Sequence, residues 1–281
     1  RERSQPLAHL LLDVADALDL RRDARELELR AVPAPFELAE AGRLLLEHGT
    51  PEQQRTWLAG LASGDCFLAF GISEPSGGTD ALALTTRARL DEEADQWVVV
   101  GQKLWTSLAH QAAAIIVVAR TDPAEPGHRA RGLSLILTPA DQPGVHVRRV
   151  HLSGMRAAGT CEVFFDDARA PAVNLIGRRG RGFHHLLGSL NVERTLAAGI
   201  SLGIARGALE DAVAYAGQRV AFGRPIGAFQ AVQHPLAESA AELEAARLLA
   251  ERAADDVDAG RQPSMIVAMA KLFAAEVAAR V

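Results

Sequence analysis

The chain has 281 residues, 48% hydrophobic and 23% charged, enough apolar material for two or three folding units. Its net charge is −5 and no wide basic face is visible, which argues against a nucleic-acid partner. Two cysteines, Cys66 and Cys161, stand in no motif, so no disulfide framework is indicated and a reducing cytoplasm is the default.

Taken in chain order, Arg1 to Pro6 has no signal-peptide character. Residues 7–20 carry apolar side chains at helical spacing, and residues 27–33 are ambiguous. Residues 37–48 read as a helix closed by Gly49. Thr50-Pro51-Glu52 then supplies an N-cap, a proline at the first helical position and an acidic first turn, and that helix stops at Ser63-Gly64. From Cys66 the period changes to two. The spacing predicts strands at 66–72, 85–90, 96–105, 113–120, 132–138, 145–152 and 161–165, joined by Asp, Pro and Gly turns. Such a series suggests an antiparallel barrel or sandwich, and the lack of strand–helix alternation argues against a dinucleotide-binding parallel sheet.

Gly71 to Asp80 interrupts the strands with loop chemistry: one Pro, a Gly-Gly pair and several hydroxyl or acidic side chains. It is either a connection or a loop that holds a polar ligand. Gly177-Arg178-Arg179-Gly180-Arg181-Gly182 reads as a flexible Arg-bearing lead into a helix, whose arginines either contact phosphates or sit in solvent. Three helices follow, at 183–216, 229–258 and from 264 onward. The longest apolar run, Leu196 to Ala205, is far short of the ~20 residues a spanning helix needs. Both ends look cut.

No Gly-x-Ser-x-Gly elbow, Walker loop, Cys-x-x-Cys or His-x-x-x-His pair occurs, and no metal site is expected. Glu193 is the informative residue. The stripe Phe183, Leu186, Leu190, Ala197, Ile200, Ile204 includes position 193. A carboxylate there is either half of an internal ion pair or a desolvated general base, and the pattern leaves both open. Gly199, Gly203 and Gly207, at four-residue spacing, leave a groove for another helix.

Four ordered segments together resemble the acyl-CoA dehydrogenase family. Gly71-Ile72-Ser73-Glu74-Pro75-Ser76-Gly77-Gly78-Thr79-Asp80 is similar to its first signature. Gly101-Gln102-Lys103-Leu104-Trp105-Thr106-Ser107 is similar to its strand behind the flavin. Asn191-Val192-Glu193-Arg194 and the segment Arg219 to Gln230 resemble its C-terminal helical part. The resemblance implies an α+β fold: an N-terminal helical domain (1–64), a central antiparallel β-domain (65–174) and a C-terminal four-helix bundle (175–281), incomplete at both ends.

It also implies FAD between the β-domain and the bundle, an acyl-CoA substrate, and an electron-transfer flavoprotein or similar acceptor. Assembly as a homotetramer or homodimer is implied too. On this reading Ser73 and Ser107 hydrogen-bond the flavin ring, Trp105 packs beside it, and Thr106 belongs to the same cofactor-binding strand. Thr79 lies near the diphosphate or the substrate, and Arg219, Phe222 and Gln230 meet the FAD of a neighbouring subunit. Asn191 and Arg194 lie near the CoA, and Glu193 is the base, as in the isovaleryl-type and long-chain branches. The family's other catalytic position falls beyond Val281.

Leu108, where Asn is frequent, and Ala158-Gly159, in place of Ser-Asp, depart from the family pattern. Both argue against ordinary straight-chain substrates. The competing readings are a flavin monooxygenase on the same fold and a non-catalytic subunit of a hetero-oligomer.

Overall fold

The computed structural model describes residues 35–281 except 125, 126, 155 and 262. The expected helix at 7–20 and the ambiguous stretch at 27–33 lie outside those residues. The chain divides into two compact units, residues 31–189 and 190–281.

The first unit opens with helices α1 (Pro35–His48) and α2 (Pro51–Ser63). Thr50 caps α2 as the sequence requires. Its hydroxyl accepts from the Gln53 N–H at 3.2 Å while Gln53 Oε1 accepts from the Thr50 N–H at 2.9 Å. Gly64 ends the helix in the left-handed conformation, φ 77°.

Eight strands follow: β1 (Leu68–Gly71), β2 (Arg87–Asp91), β3 (Gln96–Thr106), β4 (Ala114–Arg120), β5 (Leu133–Pro139), β6 (Val145–Arg149), β7 (Cys161–Pro171) and β8 (Leu175–Ile176). They form one sheet in the order β6-β7-β3-β2-β4-β5-β8, with β1 pairing β4 off that path. β2 and β4 meet only at Arg87 and Arg120. β5 approaches β7, and β1 approaches β3, across the interior, so the sheet folds over itself. The expectation of an antiparallel domain is corrected in two places: β1 runs parallel to β4, Leu68 opposite Ala114 through Gly71 opposite Val117, and the single Arg87–Arg120 pairing of β2 with β4 is parallel too. The intervening loop and hairpin supply the crossover that a parallel pair needs.

β4 and β5 are buried on both faces. Ala114 to Ala119, with Leu133 and Leu135 to Leu137, are 0% exposed, which is why these runs are continuously apolar rather than alternating. Each such aliphatic side chain contributes about 1.5–3 kcal/mol of transfer free energy. The expected boundary at 174 falls inside this unit, because β8 adds to β5 at Ile176 opposite Leu135. β7 runs on to Pro171, beyond its expected end at 165.

Helix α3 (Gly182–Gln218) is followed by a hairpin of β9 (Val220–Ala221) and β10 (Arg224–Pro225), then by α4 (Gln230–Asp258) and α5 (Ser264–Arg280). α4 packs on α5 through small side chains. Ala246, Ala250, Ala253 and Ala254 of α4 and Ala270 and Ala274 of α5 are all buried. The stripe expected along α3 is not its buried face. Leu186, Ser189, Val192, Leu196 and Ala205 are buried, while Ile204 is 60% exposed and Glu193 is half-buried at the edge. Polar residues at Ser189, Asn191 and Thr195 hid that face: Ser189 and Thr195 satisfy their hydroxyls on helix carbonyls.

Candidate functional site

In the first unit the candidate residues gather where β3 breaks its regular pairing. The register between β3 and β7 shifts between Lys103 and Thr106. Within that bulge Trp105 takes φ 61°, and Leu108 just beyond takes φ 56°. Left-handed backbone is costly for a bulky residue and persists only where its surroundings enforce it. The bulge turns the indole outward, 54% exposed.

Thr106 points the other way. It is fully buried and its hydroxyl has no hydrogen-bond partner among the described residues. A buried hydroxyl without a partner is the kind of group that a bound ligand satisfies, and Thr106 lies between Trp105 and Ser107 in the chain. Ser107 returns to the outer side, half-buried.

The signature loop docks beside this bulge. Leu104 N–H donates to the Ser73 carbonyl at 2.9 Å, which sets Ser73 next to the bulge. The hydroxyls of Ser73 and Ser107, both half-buried, have no partner among the described residues. Thr79 lies farther along the loop and is exposed; its neighbour Asp80 pairs with Arg129 at 2.7 Å. A flat aromatic face flanked by two free hydroxyls suits a planar heteroaromatic group with hydrogen-bonding ring atoms.

Sequence reasoning missed the pair beneath this surface. Lys103 Nζ lies 2.9 Å from Glu74 Oε1 and 2.9 Å from the Ile72 carbonyl. Glu74 also accepts from Thr85 N–H at 2.6 Å, Thr85 Oγ1 at 2.7 Å and Thr86 N–H at 2.9 Å. Burial alone would raise the Glu74 carboxyl; Lys103 and the hydrogen bonds from Thr86 and Thr85 outweigh it and hold the group at about 2. Burial pulls the Lys103 ammonium down to about 8 against the pull of Glu74.

Gly71 belongs to the same packing, since a Cβ there would lie 3.0 Å from Lys103 Cγ. At Gly101, φ 148°, a Cβ would lie 2.5 Å from Thr86 Oγ1. At the loop tip Gly78 is different, with nothing within 4 Å of its would-be Cβ. Among the arginines of the 177–182 lead, Arg179 is not free in solvent: it pairs with Asp122 at 2.8 Å.

In the second unit, desolvation raises the Glu193 carboxyl above its usual value, with Arg194 and Lys271 opposing. Glu193 makes no hydrogen bond among the described residues. Asn191 is buried, 4% exposed, and reaches Ser264 at the start of α5. Its Oδ1 accepts from Arg194 at 3.3 Å, so Asn191 orients Arg194 rather than facing outward itself. The chain has only two lysines, Lys103 and Lys271, and each stands beside one of the two carboxylates, a sequence signal that could have located both.

Arg219, Phe222 and Gln230 flank the β9–β10 hairpin. Phe222 and Gly223 have φ 51° and 78°, positive at both turn positions as a tight two-residue hairpin requires. That turn thrusts Phe222 outward, 94% exposed, with only the edge of Phe229 near it at 6.1 Å. Arg219 and Gln230 are exposed, and Arg219 has no side-chain partner among the described residues. The open groove on the sheet lined by Arg87, Arg89, Val98 and Arg120 contains none of these residues. Among the described residues no helix is long and apolar enough to cross a membrane, and no cluster of three metal-ligating side chains occurs.

Comparison with known proteins places these features. The family model for the acyl-CoA dehydrogenase middle domain matches residues 69–168, and that for the C-terminal domain matches residues 180–281. The mitochondrial short-chain specific acyl-CoA dehydrogenase of Bos taurus is 41% identical over 83% of this chain and 56% of its own length. An acyl-CoA dehydrogenase structure from Geobacillus kaustophilus is 33% identical, with TM-score 0.85, covering 89% of this chain and 65% of that one. A glutaryl-CoA dehydrogenase of Mycobacterium smegmatis in complex with FADH2 is 30% identical, with TM-score 0.78, over 85% and 60% of the two chains. The chain spans little more than half the length of the first curated relatives it matches.

Proposed function

The chain belongs to the acyl-CoA dehydrogenase family, and from that premise we propose that it catalyses FAD-dependent α,β-dehydrogenation of an acyl-CoA thioester. The observation that carries the reaction is Glu193, a half-buried carboxyl raised by desolvation and left without a hydrogen bond among the described residues. Removing a proton α to a thioester demands a base stronger than a solvated carboxylate, and desolvation supplies that strength. Glu193 takes the α-proton as the C–H bond breaks and the electron pair enters the new double bond. Arg194 and Lys271 oppose the rise that desolvation causes.

FAD, when bound, supplies the acceptor for the β-hydride. Trp105, Thr106 and the hydroxyls of Ser73 and Ser107 would hold its ring, and Thr79 would serve its diphosphate or the substrate. Asn191, through Arg194, serves the CoA. Arg219, Phe222 and Gln230 serve the FAD of a second copy in a homotetramer or homodimer. The exposure of Phe222 supports that role. An electron-transfer flavoprotein or similar acceptor completes the cycle, and the setting is the cytoplasm.

The test is Glu193→Gln in the FAD-loaded protein, mixed anaerobically with a panel of acyl-CoAs. Flavin bleaching by the best substrate should slow by about 10²–10⁴-fold while FAD stays bound. Undiminished bleaching would refute Glu193 as the base.

A further inference from the structure

Glu74 and Lys103 take no part in the chemistry above, yet their side chains are 2% and 0% exposed. Stability alone is a weak reason for such a pair, because well-packed apolar side chains of similar volume commonly serve as well. What ions add is direction. Lys103 has two acceptors at 2.9 Å, the Ile72 carbonyl and Glu74, and both lie on the loop that carries Ser73. The next residue, Leu104, holds the Ser73 carbonyl through its own N–H. The loop is thereby tied to β3 on both sides of Ser73, immediately before the register shift that turns Trp105 outward.

Glu74 uses its remaining acceptor capacity on Thr85 and Thr86, which fixes the far end of the same loop. Pro75 and Ser76 are enclosed by a second small tie, with the Glu74 and Gly77 N–H groups each donating to the other residue's carbonyl at 3.0 and 3.1 Å. The left-handed Trp105 needs such an over-determined surrounding, since nothing in an ordinary strand would hold it.

We propose that the buried Glu74–Lys103 ion pair is the positioning device for the cofactor face: it sets the Ser73 loop and the Trp105 bulge in the one arrangement that receives the flavin ring. This rests on the FAD reading above. Neither residue is catalytic, for both act through Ser73 and Trp105.

The test removes both charges together with Glu74→Gln/Lys103→Met, so that no lone charge is left buried. A milder variant, Thr85→Val, deletes one hydroxyl bond to Glu74 and stands in if the double variant does not fold. FAD affinity is measured by flavin fluorescence, and amide exchange is followed over the whole chain. In the folded double variant FAD binds about ten-fold more weakly or worse. Exchange accelerates in residues 71–80 and 103–108 while residues 114–120 and 133–139 keep their protection. Thr85→Val shows the same local pattern with a smaller loss of affinity.

Parent-like exchange in the loop and bulge would overturn the proposal, as would a loosened loop whose FAD affinity stays within about two-fold. Failure of the parent chain itself to bind FAD would instead overturn the flavin reading, and the positioning role with it.

Discussion

At the scale of single residues, the two carboxylates show how environment divides like groups into unlike roles. Glu74 is fully partnered and held low at about 2; Glu193 is desolvated, without a hydrogen bond among the described residues, and raised. Lys271 is one of two cations restraining that rise. Lys271→Met removes it, so the Glu193 pKa should climb further and the acidic limb of the kcat/KM profile should move to higher pH. A pH–rate profile of parent and variant checks this, and an unmoved limb would separate Lys271 from the base. Glu193 was legible as a carboxylate at helical spacing from apolar neighbours. Its surroundings were not, because polar Ser189, Asn191 and Thr195 are buried and Ile204 is exposed. The Glu74–Lys103 contact was hidden for another reason. Its partners are far apart in sequence, and alternation along a strand says which side of the sheet a lysine faces but not what it meets there.

At the scale of elements, turn and cap chemistry carried most of the reading. The Thr50 box, the Gly64 stop and the β2–β3 and β4–β5 pairings follow from local rules. The parallel placement of β1 does not, since no local pattern distinguishes a strand that pairs with its neighbour from one that waits for a later partner. The start of α3 holds a further element-scale device. The His185 and His48 rings pack at a tilt of 39° with centroids 4.1 Å apart, and His185 Nε2 accepts from the Arg178 N–H at 3.2 Å. Burial first, then His48, His184, Arg181 and Arg178, lower the His185 pKa to about 4. The folded state thus requires neutral His185, whereas the unfolded chain protonates it near 6.5. Its contribution to stability is complete above that value and is lost as pH falls from 6.5 through about 4. Urea midpoints measured across this window should fall more steeply for the parent than for His185→Phe. Parallel curves would show that the imidazole does not set the slope.

At the scale of the whole molecule, a single copy leaves large apolar side chains uncovered in the helical unit: Phe222 at 94%, Met265 at 78%, and Tyr215 and Ile204 at 60%. Scattered exposure is ordinary, but a phenylalanine thrust out on a tight turn is not. On the proposed assembly as a homotetramer or homodimer, Phe222→Asp should lower the solution mass by light scattering while helix content is kept. An unchanged mass would refute the proposed role of Phe222 in assembly. The pairing of β1 with β4 also bears on how the fold is reached. Antiparallel neighbours such as β4 and β5 close short loops, whereas β1 must wait until β4 exists. Until β1 docks, Gly71 and the loop after it have no fixed place beside Lys103. The ammonium can therefore keep its water until Glu74 arrives. Because one loop carries both Glu74 and the Ile72 carbonyl, the charge of Lys103 and the groups that compensate it are buried by the same docking event.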